Sequence, residues 1–129
     1  MLHVLDTTVL IDFLRGRPAV LRVLDLLEQG VTPATTAVNV EEILRGLHGH
    51  EEPAAGRLFA GLVGLPVTPE AGQLAGRWRR EHGARGVTLS QADCLIAATC
   101  VRAGAALVTG NPKDFPMPEL AVIHWPVGE

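Results

Sequence analysis

The sequence predicts an α/β protein, a three-layer α/β/α domain around a central, mainly parallel sheet of four to five strands. Two patterns carry this. Short apolar runs alternate with longer stretches in which apolar residues recur at i, i+3 and i+4. The breaks between them are brief, as expected where each strand is followed by a helix that covers the sheet. A third observation is bulk. At 129 residues, 47% hydrophobic and 19% charged, the chain reads as one globular domain over 1–129, able to bury roughly two thirds of its unfolded surface.

The elements follow in order. Leu2 to Leu5 is a strand, and Thr7 to Leu14 a helix stopped by Arg15-Gly16-Arg17-Pro18. Pro18 opens a second helix, where Val20, Leu21, Val23, Leu24 and Leu27 form an apolar stripe that Gly30 closes. Val31 to Thr36 is a strand. Val40, Ile43, Leu44 and Leu47 give helical spacing from Ala37 to about Gly49, and a further helix runs from Glu51 to Val63 with Pro53 in its first turn. Leu65 to Val67 is a third strand. Pro69-Glu70 starts a helix through Leu74 and Trp78 to His82, ended by Gly83 to Gly86. Leu89 to Ala103 is a helix with Gly104 as its stop, Ala106 to Thr109 a strand, Asn111 to Asp114 a turn, and Leu120 to Ile123 the last strand.

Composition narrows the class. No run of about 18 apolar residues occurs, and Met1 leads into a strand with neither a basic flank nor a cleavage site. The expectation is a cytoplasmic protein with no membrane segment. Cys94 and Cys100 point about 120° apart on one helix and cannot bridge each other; they read as small core residues. The formal charge of −3, with ten Arg beside the single Lys113, says little about partners.

The acids say more. Asp6 ends the first strand, Asp114 lies just past the strand at Leu107-Val108, and Glu42 and Asp93 fall in the first turns of helices. In parallel sheets, sites gather beyond the carboxyl ends of strands, so these four can converge there. Each also fits a local role. Ser90 to Asp93 and Asn39 to Glu42 match capping boxes, Asp114 suits a turn, Asp6 can cap the helix that follows it, and Glu42 can be helix-surface charge. Capping explains each acid separately but not their shared edge. Two carboxylates about 5 Å apart at an effective dielectric near 20 repel by roughly 3 kcal/mol, so a cluster needs protons or a cation. Hard oxygen donors suit Mg²⁺ or Mn²⁺. Zinc is disfavoured, because His3, His48, His50, His82 and His124 show no ligand spacing with the cysteines; the histidines read as surface or strand-end groups. Such a site can hydrolyse a phosphodiester. Asp6 and Asp93 would be the principal ligands, Asp114 would serve a second metal or a metal-bound water, Glu42 would orient or deprotonate the attacking water, and Thr109 would hydrogen-bond ligands or phosphate.

Four stretches then carry a resemblance: Leu5-Asp-Thr-Thr-Val-Leu-Ile-Asp12, Glu42-Ile-Leu-Arg-Gly46, Asp93-Cys-Leu-Ile-Ala-Ala98 and Leu107-Val-Thr-Gly-Asn-Pro-Lys-Asp-Phe115. In this order, over a chain of this size, they resemble PIN-domain nucleases of the VapC toxin type. The resemblance spans Leu2 to Trp125 and implies a PIN-like, Rossmann-like fold. It also implies a Mg²⁺- or Mn²⁺-dependent endoribonuclease that cuts tRNA, rRNA or mRNA as a homodimer and is silenced by a VapB-type antitoxin. The family's metal-binding acids map onto Asp6 and Asp93, its helix-borne acid onto Glu42 and its fourth acid onto Asp114. Thr7 and Asn111 sit beside the site. Glu42 is preferred to Glu41 because Gly46 follows it by four residues, and Asp12 resembles a structural member of the first motif. Gly110 departs from the pattern, since many relatives carry a basic residue after the Thr.

For RNA contact the candidates are Arg77, Arg80 and Arg85, which cluster with Arg79 and His82 near one helix end; a solvated helix face is the alternative. Trp78, in register with Leu74, reads as core. The second helix and the 54–63 segment can supply an antitoxin groove, dimer surface or core. Other functions fit less well. A receiver domain needs an acidic pair after strand one and a phosphoacceptor Asp after strand three, which Asp6-Thr7 and Leu65-Pro66-Val67 do not supply. A haloacid-dehalogenase-type phosphatase needs an acid two residues past Asp6, where Thr8 stands. A PIN-fold module that binds RNA or a partner without cutting usually lacks an acid, and all four are present.

Overall fold

The computed structural model describes residues 1–128. Five strands form one sheet in the order β3-β2-β1-β4-β5, and every pairing is parallel. The elements are β1 (Leu2–Leu5), α1 (Thr7–Leu14), α2 (Ala19–Glu28), β2 (Thr32–Thr36), α3 (Ala37–Gly46), α4 (Glu52–Ala60), β3 (Val63–Leu65), α5 (Pro69–Ala84), α6 (Gln91–Ala103), β4 (Ala106–Thr109) and β5 (Val122–His124). Short 3-10 turns occupy Gly49–Glu51 and Pro112–Asp114.

Strand pleating sends alternate residues to opposite faces, and the two faces carry separate cores. Val4, Ala34 and Leu107 pack with Ala71, Trp78, Ile96 and Cys100 of α5 and α6. Leu5 and Val108 pack with Val9, Leu10, Val23, Ile43 and Ala55 of α1 to α4. This is the three-layer arrangement that the sequence predicts. Central strands buried on both faces explain why β1 and β4 read as unbroken apolar runs.

Several boundaries move. β3 lies two residues earlier than predicted: α4 ends at Ala60, Gly61 takes its C-cap, and Pro66 cannot donate to the ladder. β5 starts at Val122, and Leu120 is buried in the core before it. The cap of α3 is Thr36 instead of Asn39; the Thr36 hydroxyl accepts from the Asn39 N–H, and Asn39 Oδ1 accepts from the Thr36 N–H. Ser90 caps α6 as predicted, accepting from the Asp93 N–H at 3.1 Å. Trp78 is core, and its Nε1–H donates to Glu119 at 2.8 Å. The sequence suggests surface or strand-end positions for the histidines; His3 is buried within β1, and His82 is buried in α5, where its Nδ1 meets the Trp78 carbonyl at 2.9 Å. Both cysteines are buried and free, and burial pushes the Cys100 thiol up to about 12. No helix of the described residues is long and apolar enough to cross a membrane.

Asp12 is scaffold. Its buried carboxylate accepts from the Ala19 N–H at 3.0 Å and the Gly128 N–H at 3.2 Å, tying α1 to the start of α2 and to the C-terminal segment.

Candidate active site

The strand order runs outward from β1 in one direction through β2 and β3, and in the other through β4 and β5. Connections therefore diverge between β1 and β4, which opens a crevice beyond their carboxyl ends. Asp6 and Thr109 stand at that crevice, Asp6 one residue past β1 and Thr109 as the last residue of β4. The Asp6 N–H continues the ladder to the Val108 carbonyl at 2.8 Å, which fixes its backbone.

The Asp6 side chain is 6% exposed. Thr109, fully buried, donates from Oγ1 to Asp6 Oδ2 at 2.7 Å and accepts the Asn111 N–H at 3.1 Å. Asn39, also fully buried, donates from Nδ2 to Asp6 Oδ1 at 3.4 Å and to Thr7 Oγ1 at 3.0 Å. Thr7 in turn donates to Glu42 Oε1 at 2.7 Å. The Thr36 hydroxyl donates to Asn39 Oδ1 at 2.7 Å and so sets the direction of its amide. One hydrogen-bonded chain thus runs from Glu42 through Thr7, Asn39 and Asp6 to Thr109, linking α3, α1, β1 and β4. Hydroxyls that donate into carboxylates hold them without neutralising them.

Asp93 is half-buried in the first turn of α6, and Asp114 is exposed in the turn after β4. Burial raises the Asp6 pKa above the usual value; the Thr109 hydroxyl opposes this, and the charges of Asp93 and Glu42 raise it further. Asp93 is raised chiefly by burial, opposed by Ser90 and reinforced by Asp114 and Glu42. Asp6 therefore lies within the fields of Asp93 and Glu42, and Asp93 within those of Asp114 and Glu42. Among the described residues none of them is salt-bridged to a base.

That donor set fits a hard divalent cation: carboxylate oxygens, partly buried, mutually repelling and without a basic partner. Asp6, Asp93 and Asp114 could hold it. Among the described residues no three acids, histidines or cysteines form a closed metal-binding group.

Other predicted positions divide. Thr7 and Thr109 are in the network, whereas Asn111 joins through its backbone and its side chain is exposed. Arg77, Arg80 and Arg85 are exposed on α5 and its C-cap and make no hydrogen bond to the acids. It is Arg79 that reaches the start of α6, its Nε–H donating to the Leu89 carbonyl at 3.2 Å. Asn39 and Thr8 are the residues that sequence reasoning missed; Thr8 Oγ1 sits 3.5 Å from Asp6 Oδ2 and accepts the Gly110 N–H at 3.0 Å. Asn39 looked complete as a local cap, and its contact with Asp6 crosses 33 residues. Gly110 has a steric cause: a Cβ there would lie 2.8 Å from Val127 Cγ2 and 3.3 Å from Thr8 Oγ1.

Fold and site define a class: all-parallel α/β domains with a carboxylate cluster at the switch point of the sheet. The family description of the PIN domain matches residues 3–117, and the chain belongs to the PIN-domain family. It is 33% identical over 117 residues to Ribonuclease VapC19 of Mycobacterium tuberculosis, covering 90% of this chain and 94% of that protein. In structure it is similar to VapBC2 from Rickettsia felis bound to a promoter DNA fragment, with a TM-score of 0.86, 22% identity and coverage of 97% and 99%. It also matches FitAcB from Neisseria gonorrhoeae, with a TM-score of 0.75, 25% identity and coverage of 96% and 97%.

Proposed function

We propose that this protein is an endoribonuclease of the VapC type, which hydrolyses RNA phosphodiester bonds with Mg²⁺ or Mn²⁺ and acts in the cytoplasm as the toxin of a toxin–antitoxin pair. The observation that carries this is the chain from Glu42 through Thr7, Asn39 and Asp6 to Thr109, set beside two further acids with no base to neutralise them. A divalent ion bound by Asp6, Asp93 and Asp114 would offset phosphate charge and acidify a water. Glu42 keeps its other oxygen, Oε2, free of protein hydrogen bonds and can accept the proton of the attacking water. Thr7 fixes the orientation of Glu42, and Thr109 and Asn39 fix that of Asp6. The exposed guanidinium groups of Arg77, Arg80 and Arg85 offer phosphate contacts along the flank.

Purified protein should cleave single-stranded RNA with Mg²⁺ or Mn²⁺ and not in EDTA. Asp6→Asn and Asp93→Asn should each remove cleavage, by at least about a hundredfold, with the circular dichroism spectrum retained. Metal-independent cleavage, or full activity in Asp93→Asn, refutes the mechanism.

The silencing partner is a VapB-type antitoxin, the kind of partner named for the VapBC structures that this chain resembles. An apolar cavity of about 470 Å³ between α2 and α4, floored by Pro33 and walled by Val23, Leu24, Leu27 and Leu58, suits an amphipathic segment. Leu24 and Leu27 stay half exposed without it. Leu24→Glu should abolish capture by a VapB-type antitoxin while RNA cleavage persists.

A further inference from the structure

A second cavity, of about 200 Å³, opens beside Glu42 between the ends of α1 and α3. Ile11, Leu14, Ile43 and Leu47 give it apolar lining, and Arg15, Glu42, His48 and Glu51 give it polar lining of about equal extent. It is smaller than the roughly 300 Å³ at which pockets for drug-sized ligands begin, a size suited to one ring system. Two features beside it point to a nucleotide. The imidazoles of His48 and His50 lie stacked, with centroids 6.0 Å apart and planes within 8°. Both rings are exposed, so they present an aromatic face of the kind on which unpaired bases stack. Arg15 is exposed and forms no ion pair among the described residues, which leaves a cation on a lining that also carries the acids Glu42 and Glu51.

Gly46 completes the picture. It ends α3 four residues after Glu42, on the same helix face, and lines the same cavity. A Cβ at Gly46 would meet no atom within 4 Å, so the missing side chain relieves no packing clash. What its absence does is keep the cavity open next to the catalytic acid.

We infer that this cavity takes the base of the nucleotide adjoining the scissile phosphate of a single-stranded RNA, with the base against His48 and the flanking phosphate on Arg15. Glu42 is shared by the cavity and the acid cluster, so an RNA held here passes directly to the reacting phosphate. The inference rests on the nuclease reading above and adds a position at which the enzyme selects sequence.

The test uses a randomised single-stranded RNA pool, cleaved with Mn²⁺ and sequenced at the new ends, together with KM and kcat on a fixed substrate. Gly46→Leu fills the cavity, His48→Ala removes the stacking face and Arg15→Ala the cation. Wild type should show a base preference at one position adjoining the cut. Gly46→Leu and His48→Ala should flatten that preference and raise KM by about tenfold, within the range one stacked base supplies, with a smaller change in kcat. Arg15→Ala should raise KM for every sequence alike and weaken its salt dependence. A folded Gly46→Leu variant that keeps both preference and KM overturns the assignment. So does one that loses only antitoxin capture, which would give the cavity to the antitoxin. Wild-type protein that neither binds nor cuts RNA refutes the nuclease reading itself, and this one with it.

Discussion

Replacing Thr109 by valine removes one hydroxyl from a fully buried position and changes little else in shape. That hydroxyl makes the short bond to Asp6, at 2.7 Å, and without it the carboxylate keeps the Thr7 backbone N–H together with Asn39 at 3.4 Å and Thr8 at 3.5 Å, these last two at the outer limit of a hydrogen bond. A bond to a charged group contributes about 1.5–3 kcal/mol, and the Asn111 N–H loses its acceptor as well. A net loss of about 2–3 kcal/mol follows at pH 7.5 in EDTA. With an unfolding entropy of about 2.1 cal/mol/K per residue, this lowers Tm by roughly 7–11 °C for a chain of this length. The pH dependence has a definite sign. Thr109 lowers the Asp6 pKa, so the variant's Asp6 titrates at higher pH, and its deficit shrinks as the pH falls and the carboxyl takes up a proton. Urea denaturation at pH 7.5 and at pH 5 measures both effects. Thr99→Val is the control, because its hydroxyl bonds only the Leu95 carbonyl one turn back, at 2.8 Å, and should cost under about 1 kcal/mol. A Thr109→Val deficit no larger than the control, or one that does not shrink at low pH, refutes the role given to this hydroxyl.

Asp6 and Asp93 both have raised pKa values, so in EDTA their contribution to stability is present below the ordinary aspartate value of 3.8 and is lost as the pH rises through their folded values. Mg²⁺ at ten times its Kd should restore about 1.4 kcal/mol at pH 7.5, or roughly 5 °C in a thermal melt, and Asp93→Asn should reduce that gain to under about 1 °C. Asp12→Ala strands the Ala19 and Gly128 N–H groups; chemical denaturation should show a loss of about 1–3 kcal/mol, with cleavage retained at 25 °C. Gly110→Ala should cost about 1–3 kcal/mol through its clash with Val127, and Val127→Ala in the same chain should recover most of it.

What could be read from the chain was whatever had a local cause. Leu2 to Leu5, Ala106 to Thr109 and the helix capped by Ser90 are written in runs of apolar residues and a single cap, and they lie where expected. The edge strand was displaced because Leu65-Pro66-Val67 is apolar enough for a strand, while the ladder needs the Pro66 N–H that does not exist. Of the site, Asp6 and Asp114 were singled out by their places after strands and Asp93 by its place in the first turn of α6, whereas Glu42 lies beyond the first turn of α3, later in its helix than the sequence suggested. Asn39 was not singled out, because Asn within four residues of a helix start has a sufficient local reason to be there. Its bonds to Asp6 and Thr7 exist only after β1 and β2 pair. The two buried histidines escaped for a similar reason: nothing in their neighbours announces that packing will cover them.

The bond between Thr109 and Asp6 joins residues 103 positions apart, and this has a bearing on when the protein can act. At about 5–20 residues per second, a ribosome needs roughly 5–20 s to get from one partner to the other. Throughout that interval Asp6 has no Thr109 to orient it, Asp93 arrives late and Asp114 later still. A nascent chain at the ribosome, surrounded by the RNA of the translation machinery, therefore carries no assembled centre. Asp6 meets Thr109 only when β4 docks beside β1.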